Sequence, residues 1–237
     1  MTTKTRPHLA GRAAILALAM AAACANGRGG GAEERGEMRF LALGDSYTIG
    51  EAVPEGDRWP VQLAGLLRER GVAIDDPAII ARTGWTTDEL DAAIDAAQPR
   101  GPYAVVTLLI GVNNQYRGRD LDEYRAQIRG LLERAIGFAG GEAGRVVVLS
   151  IPDWGVTPFA ADRDRAQIAA EIDAFNAANR DIAAELGARW VDVAPGSRRA
   201  ADDPSLLASD GLHYSGKMYD EWARLALPAA LEAVAAK

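Results

Sequence analysis

With 237 residues, 49% of them apolar and 25% charged, the chain has the balance of a globular protein long enough to bury a core without metal or disulfide support. Collagen, coiled-coil and globally disordered classes are excluded. The formal net charge is −7, and −10 once residues 1–23 with Lys4, Arg6 and Arg12 are removed; so acidic a body repels phosphate backbones, and nucleic acid is not an expected partner. The one cysteine, Cys24, rules out an intrachain disulfide and leaves no basis for a Cys/His metal site.

Residues 1–12 are basic without an acid, and residues 13–23 are an uncharged, Ala-rich apolar run. Basic, then apolar, then small is the order of an export signal, and the run is far short of the roughly 20 residues that span a bilayer. An Ala-rich first helix is the alternative, but the Gly-rich stretch 26–36 would isolate it from any core. Ala22-Ala23-Cys24 resembles the end of a bacterial lipoprotein signal, with Ala21 where Leu is usual. Ala23-Cys24-Ala25 also reads as an Ala-x-Ala cleavage site. The lipoprotein reading is favoured because the sole cysteine stands where the lipid would attach. The expected organisation is an export signal over 1–25, a flexible tether over 26–36 and one domain over 37–237. The protein is expected to be exported, as a periplasmic or cell-surface lipoprotein held at the membrane through Cys24, or else secreted.

From residue 38 onward strand-like and helix-like stretches alternate. Apolar runs predict strands over 38–43, 78–82, 103–110, 145–151 and 189–193; those at 103–110 and 145–151 are nearly continuous and β-branched, as in strands covered on both faces. Apolar spacing near 3.6 predicts helices over 59–70, 87–97, 121–138, 163–186 and 217–236. Thr86 or Thr87 followed by Glu89 marks one helix start, and Gly71 and Gly187 mark two helix ends. Such alternation predicts a three-layer α/β/α sandwich around a mostly five-stranded parallel sheet. Ligands of such sheets bind beyond the carboxyl ends of the strands.

After the first strand comes Gly44-Asp45-Ser46-Tyr47, a serine in a tight turn at that edge. The Gly-x-Ser-x-Gly elbow of α/β-hydrolases is absent, and the tripeptide alone reads equally as a turn or helix cap. The chain has two histidines, His8 and His213, and His8 falls in the segment expected to be removed. His213 follows Asp210-Gly211-Leu212. An aspartate three residues before a histidine can fold back to accept its Nδ1–H, leaving Nε2 free to take a proton from a serine hydroxyl. Asn113, in Gly111-Val112-Asn113-Asn114 after the third strand, is a good oxyanion donor. Gly84, after the second, can offer an unobstructed backbone N–H. Each alone is also ordinary turn chemistry.

Together, and in this order, Gly44-Asp45-Ser46, Gly84, Gly111-Val112-Asn113 and Asp210-Gly211-Leu212-His213 resemble the SGNH (GDSL-type) hydrolases, over residues 38–237. The resemblance implies a flavodoxin-like fold and a serine esterase needing no cofactor. Ser46 would be the nucleophile, His213 the general acid/base and Asp210 its orienting partner. The N–H groups of Ser46 and Gly84 with the Asn113 side chain would form the oxyanion hole. Two positions depart from the usual pattern: Tyr47 stands where Leu is common, and Asn114 where the third block has Asp.

Near the predicted strand ends, Tyr47, Trp85, Tyr116, Arg117 and Trp154 are candidate substrate contacts, with Arg119 and Phe159 close by in sequence. Trp85 and Trp154 could stack on a sugar ring and Arg117 hold an anion; alternatively these rings pack loops and the arginines are solvated. The expected substrate is a small-molecule carboxylic ester with a short acyl group, such as an O-acetyl sugar. A lysophospholipase or thioesterase would need an extended apolar groove, and no long insertion supplies one. Acyl transfer to a sugar uses the same acyl-enzyme. A non-catalytic cell-surface binding protein would have lost one of the residues named above.

Overall fold

The three inner strands are apolar except for Thr107 and fully covered, which explains why they read so clearly in the sequence. The computed structural model describes residues 38–236; the expected export signal, Cys24 and the tether lie outside the described residues. The strands are β1 (Phe40–Gly44), β2 (Ala78–Ala81), β3 (Val105–Leu109), β4 (Val146–Leu149) and β5 (Arg189–Val191). They form one sheet in the order β2-β1-β3-β4-β5, every pair parallel. All residues of β1, β3 and β4 are buried, whereas the edge strands β2 and β5 are partly exposed.

Eight α-helices accompany the sheet among the described residues: α1 (Ser46–Ile49), α2 (Trp59–Glu69), α3 (Thr87–Ala97), α4 (Val112–Tyr116), α5 (Leu121–Phe138), α6 (Arg165–Leu186), α7 (Ala194–Ser197) and α8 (Gly216–Ala235). The five long ones match the predicted stretches to within two residues. α2 packs on α8, and α5 packs on α3 and α6, giving helical layers on the two faces of the sheet. α2 buries Trp59, Leu63 and Leu67, and α8 buries Met218, Trp222 and Ala226. Each fully covered large side chain contributes about 1.5–3 kcal/mol. The caps follow the sequence: Glu89 accepts the Thr86 N–H at 2.9 Å to start α3, and Gly187 ends α6 in the left-handed conformation. No helix of the described residues is long and apolar enough to cross a membrane.

This topology fixes where a site can form. β1 lies between β2 and β3, so the chain winds in opposite directions from it and leaves a crevice at the carboxyl ends of β1 and β3. Gly44, the last residue of β1, is in register with Ala81 on one side and Leu109 on the other. The segments after β1, β2 and β3 therefore leave the sheet at one level.

Candidate active site

Asp45 caps α1, its Oδ1 accepting the Tyr47 N–H at 3.0 Å, and this tight turn sets Ser46 at the head of the helix. Gly44 is required just before it, because a Cβ there would strike the Thr48 hydroxyl and the Leu109 carbonyl. Ser46, only 5% exposed, lines an open cleft of about 160 Å³ together with Thr83, Gly84, Val112, Asn113, Tyr116, Trp154, Phe159, Leu212 and His213. Five separate stretches of sequence thus meet on one cavity at the switch point of the sheet.

His213 sits in a loop built to aim it. Asp210 Oδ2 lies 2.6 Å from the ring Nδ1, while Oδ1 accepts the backbone N–H of Leu212 (3.0 Å) and of His213 itself (2.9 Å). Burial opposes ionisation of Asp210, but the bonds from the His213 ring and the two N–H groups outweigh it and hold the carboxyl below its ordinary range. The opposite edge of the ring is free to face the cleft. Ser46 and His213 share the cleft without a direct hydrogen bond between hydroxyl and ring, a contact that in ligand-free sites commonly tightens only around substrate. The loop is fastened at its back: Tyr214 donates to the Asp153 carbonyl at 2.9 Å, and Phe159 N–H to the Gly211 carbonyl at 3.1 Å. Asp153 is itself held by Arg198 Nε at 2.8 Å.

The N–H groups of Ser46 and Gly84 have no acceptor among the described residues. Asn113 Nδ2 donates one hydrogen to the Trp85 carbonyl at 2.9 Å, which leaves the second for a ligand. Asn114 is fully buried and replaces the usual carboxylate with two useful contacts. Its Oδ1 accepts the Thr87 N–H at 3.1 Å, and its Nδ2 donates to the Thr87 hydroxyl at 2.7 Å.

The candidate substrate contacts divide. Tyr116 and Trp154 line the cleft, as does Phe159; their rings form a cluster with centroids 5.4–6.2 Å apart. Trp154 is steadied by a bond from its Nε1 to Gln115 Oε1 at 2.8 Å. Tyr47 touches the cleft but is otherwise core, 2% exposed, its ring edge-on to His213 at 5.7 Å. Trp85 and Arg117 depart from expectation and do not line the cleft. The Trp85 side chain packs on the core instead, and Arg117 reaches the Gly84 carbonyl at 2.6 Å and Glu89 at 3.2 Å. Arg119 pairs with Asp88 and Glu123 on the surface. Val112, Leu212 and Thr83 are lining residues that sequence reasoning passed over; the only signal was their place inside or beside the motifs. Among the described residues no group of His, Cys, Asp or Glu is disposed to hold a metal ion.

The profile of the GDSL-like lipase/acylhydrolase family matches residues 42–221. No curated protein matches the chain. Solved structures of similar fold include a member of the lipolytic protein G-D-S-L family from Veillonella parvula, with a TM-score of 0.61 and 19% identity over 81% of this chain and 97% of that one. A lipase/acylhydrolase from Enterococcus faecalis has a TM-score of 0.59 at 19% identity, covering 84% and 97%. An acetylxylan esterase from Geobacillus stearothermophilus has a TM-score of 0.57 at 21% identity, covering 84% and 95%. At these identities the likeness establishes the fold, a five-stranded parallel α/β sandwich.

Proposed function

The chain belongs to the GDSL-like lipase/acylhydrolase family, and from that premise we propose that it is a serine esterase cleaving carboxylic esters with small acyl groups through an acyl-enzyme. One observation carries the reading: Ser46, Gly84, Asn113 and a His213 ring oriented by Asp210 border a single cleft. In this mechanism His213 Nε2 takes the Ser46 proton as the hydroxyl oxygen attacks the ester carbonyl. The oxyanion that forms is met by the N–H groups of Ser46 and Gly84 and the free hydrogen of Asn113 Nδ2. Collapse breaks the bond to the alcohol oxygen, which leaves with the proton from His213. Water, activated by His213, then releases the acid and restores Ser46.

Small acyl groups are favoured because the cleft, at about 160 Å³, is below the roughly 300 Å³ at which drug-sized pockets begin. Sugar acetates fit the surroundings best among such esters. Across the Tyr116–Trp154 wall lies a second cavity of about 380 Å³ bordered by Gln115, Asp162, Gln167 and Glu171, groups suited to hydroxyl-rich alcohols. The structural neighbour described as an acetylxylan esterase points the same way. The basic-then-apolar start ending at Cys24 supports export and a lipid anchor in the membrane, and Cys24→Ser expressed with labelled palmitate tests it: retained label would contradict the anchor.

Hydrolysis of p-nitrophenyl acetate, butyrate and octanoate, alongside acetylated xylo-oligosaccharides, tests the substrate class. The expected result is a kcat/KM for the short esters at least about tenfold above octanoate. A preference for octanoate would point instead to a thioesterase or lysophospholipase, and acetylated acceptor sugars among the products to an acyltransferase.

A further inference from the structure

The segment between β2 and α3 supplies Gly84 to the cleft, yet nothing within that segment fixes its orientation. Gly84 has φ of +89°, a region open to glycine and strained for other residues, and the Trp85 N–H makes only a long contact of 3.3 Å to the Arg82 carbonyl. The segment is held from outside: the Thr83 hydroxyl donates to the Glu51 carboxylate beyond α1, and the stretch after β3 supplies the remaining ties. Asn113 Nδ2 grips the Trp85 carbonyl, and Asn114 grips Thr87 through two bonds. Arg117, just beyond α4, puts one guanidinium nitrogen 2.6 Å from the Gly84 carbonyl and another 3.2 Å from Glu89 Oε1. The other oxygen of Glu89 accepts the Thr86 N–H at 2.9 Å. The guanidinium fork therefore spans the turn, tying Gly84 to Glu89 in the first turn of α3.

We propose that Arg117, oriented by Glu89, is a positioning residue for the oxyanion hole: by fixing the Gly84 carbonyl it fixes the peptide whose neighbouring N–H meets the developing charge. This rests on the esterase reading above. The ion pair alone cannot be the purpose of the arrangement. Both side chains are 41% exposed, and such a pair stabilises by about 0–1 kcal/mol. Its directional bond to a carbonyl beside the reacting group is what the arrangement adds. Nor is an anion-binding role in keeping with the geometry, because Arg117 does not border the cleft and its charge is already met by Glu89. Lysine would not reproduce the contact, since an ammonium lacks the planar fork that serves two acceptors at once.

The test compares Arg117→Ala, Arg117→Lys and Glu89→Gln with Arg119→Ala, a nearby arginine that pairs with Asp88 and touches no carbonyl of the turn. On p-nitrophenyl acetate, Arg117→Ala is expected to lower kcat about 10- to 100-fold while KM changes less than about threefold. Arg117→Lys and Glu89→Gln should show smaller losses of kcat, and Arg119→Ala none beyond about twofold. Millimolar guanidinium should restore several-fold activity to Arg117→Ala. Amide hydrogen exchange across residues 83–86, read by NMR, should quicken at least about tenfold in Arg117→Ala with the rest of the domain unchanged. A kcat within twofold of wild type, or a loss confined to KM, would overturn the proposal. If the wild type cleaved no ester, the esterase reading would fail, and unchanged exchange at residues 83–86 would separately refute the positioning role.

Discussion

Asp210 holds His213 twice: its Oδ2 stands 2.6 Å from the ring Nδ1 and its Oδ1 2.9 Å from the backbone N–H of the same residue. The backbone contact sets the loop and the ring contact sets the tautomer, so one carboxylate fixes both where the imidazole is and which nitrogen faces the cleft. Asp210→Asn keeps an acceptor for the backbone but can present an N–H to Nδ1. The expected outcome is a kcat lower by about 10³- to 10⁴-fold at neutral pH, with thermal stability changed little; steady-state kinetics and a melting curve check both.

Asn113→Ala removes the side-chain donor and also frees the Trp85 carbonyl. Loss of one oxyanion donor costs about 100- to 1,000-fold in kcat. KM for p-nitrophenyl acetate should stay within a few-fold, because the ground-state carbonyl draws less on that donor than the transition state does.

Gly84→Ala separates strain from collision. The nearest atom to a new Cβ would be an Arg117 nitrogen at 3.9 Å, so there is room. The φ of +89° is nevertheless costly for alanine, by about 1–3 kcal/mol. Relief by rotating the peptide would turn the N–H away from the cleft. Activity should fall at least about tenfold while the fold persists, as seen by circular dichroism.

Asn114→Asp restores the residue common in the family yet should destabilise this chain. Asn114 is fully buried and donates to the Thr87 hydroxyl, and that hydroxyl in turn hydrogen-bonds to Gln127. A carboxylate cannot donate, so Thr87 must abandon Gln127 or leave a buried charge unmet. The expected cost is about 1–3 kcal/mol, or roughly 2–10 °C in Tm for a domain of this size.

Asp45 gives the pH dependence of stability. Complete burial, only partly countered by the Tyr47 N–H, pushes its carboxyl up to about 7, and its Oδ2 has no partner among the described residues. A carboxyl whose folded pKa lies above the unfolded value of about 4 favours the folded state most when protonated, and that contribution drains away as pH rises from about 4 through 7. Asp45→Asn keeps the acceptor for the Tyr47 N–H and cannot ionise. Its Tm relative to wild type should therefore rise between pH 4 and pH 8; a constant difference would contradict the assignment.

Much of this was written in the sequence, and the misses have physical reasons. β3 and β4 were legible because strands buried on both faces need unbroken apolar runs, and Asp210 with His213 because a three-residue spacing closes a local turn. α1, α4 and α7 are four or five residues long, too short to show a period of 3.6. The strand predicted from Met38 begins at Phe40, since Met38 makes only an isolated bridge to Ile74. Two readings of Trp85 and Arg117 stayed open because sequence places a residue near a strand end without saying which side of the turn it takes. There, packing drew Trp85 to the core and the Gly84 carbonyl drew Arg117 away from the cleft.

The central claim is that Ser46 is an activated nucleophile. Residues 26–237 treated with a fluorophosphonate, digested and weighed by mass spectrometry should carry one adduct, on Ser46, abolished by Ser46→Ala and slowed at least about 100-fold by His213→Ala. An unlabelled Ser46 in protein that is folded, or labelling indifferent to His213, would contradict the account.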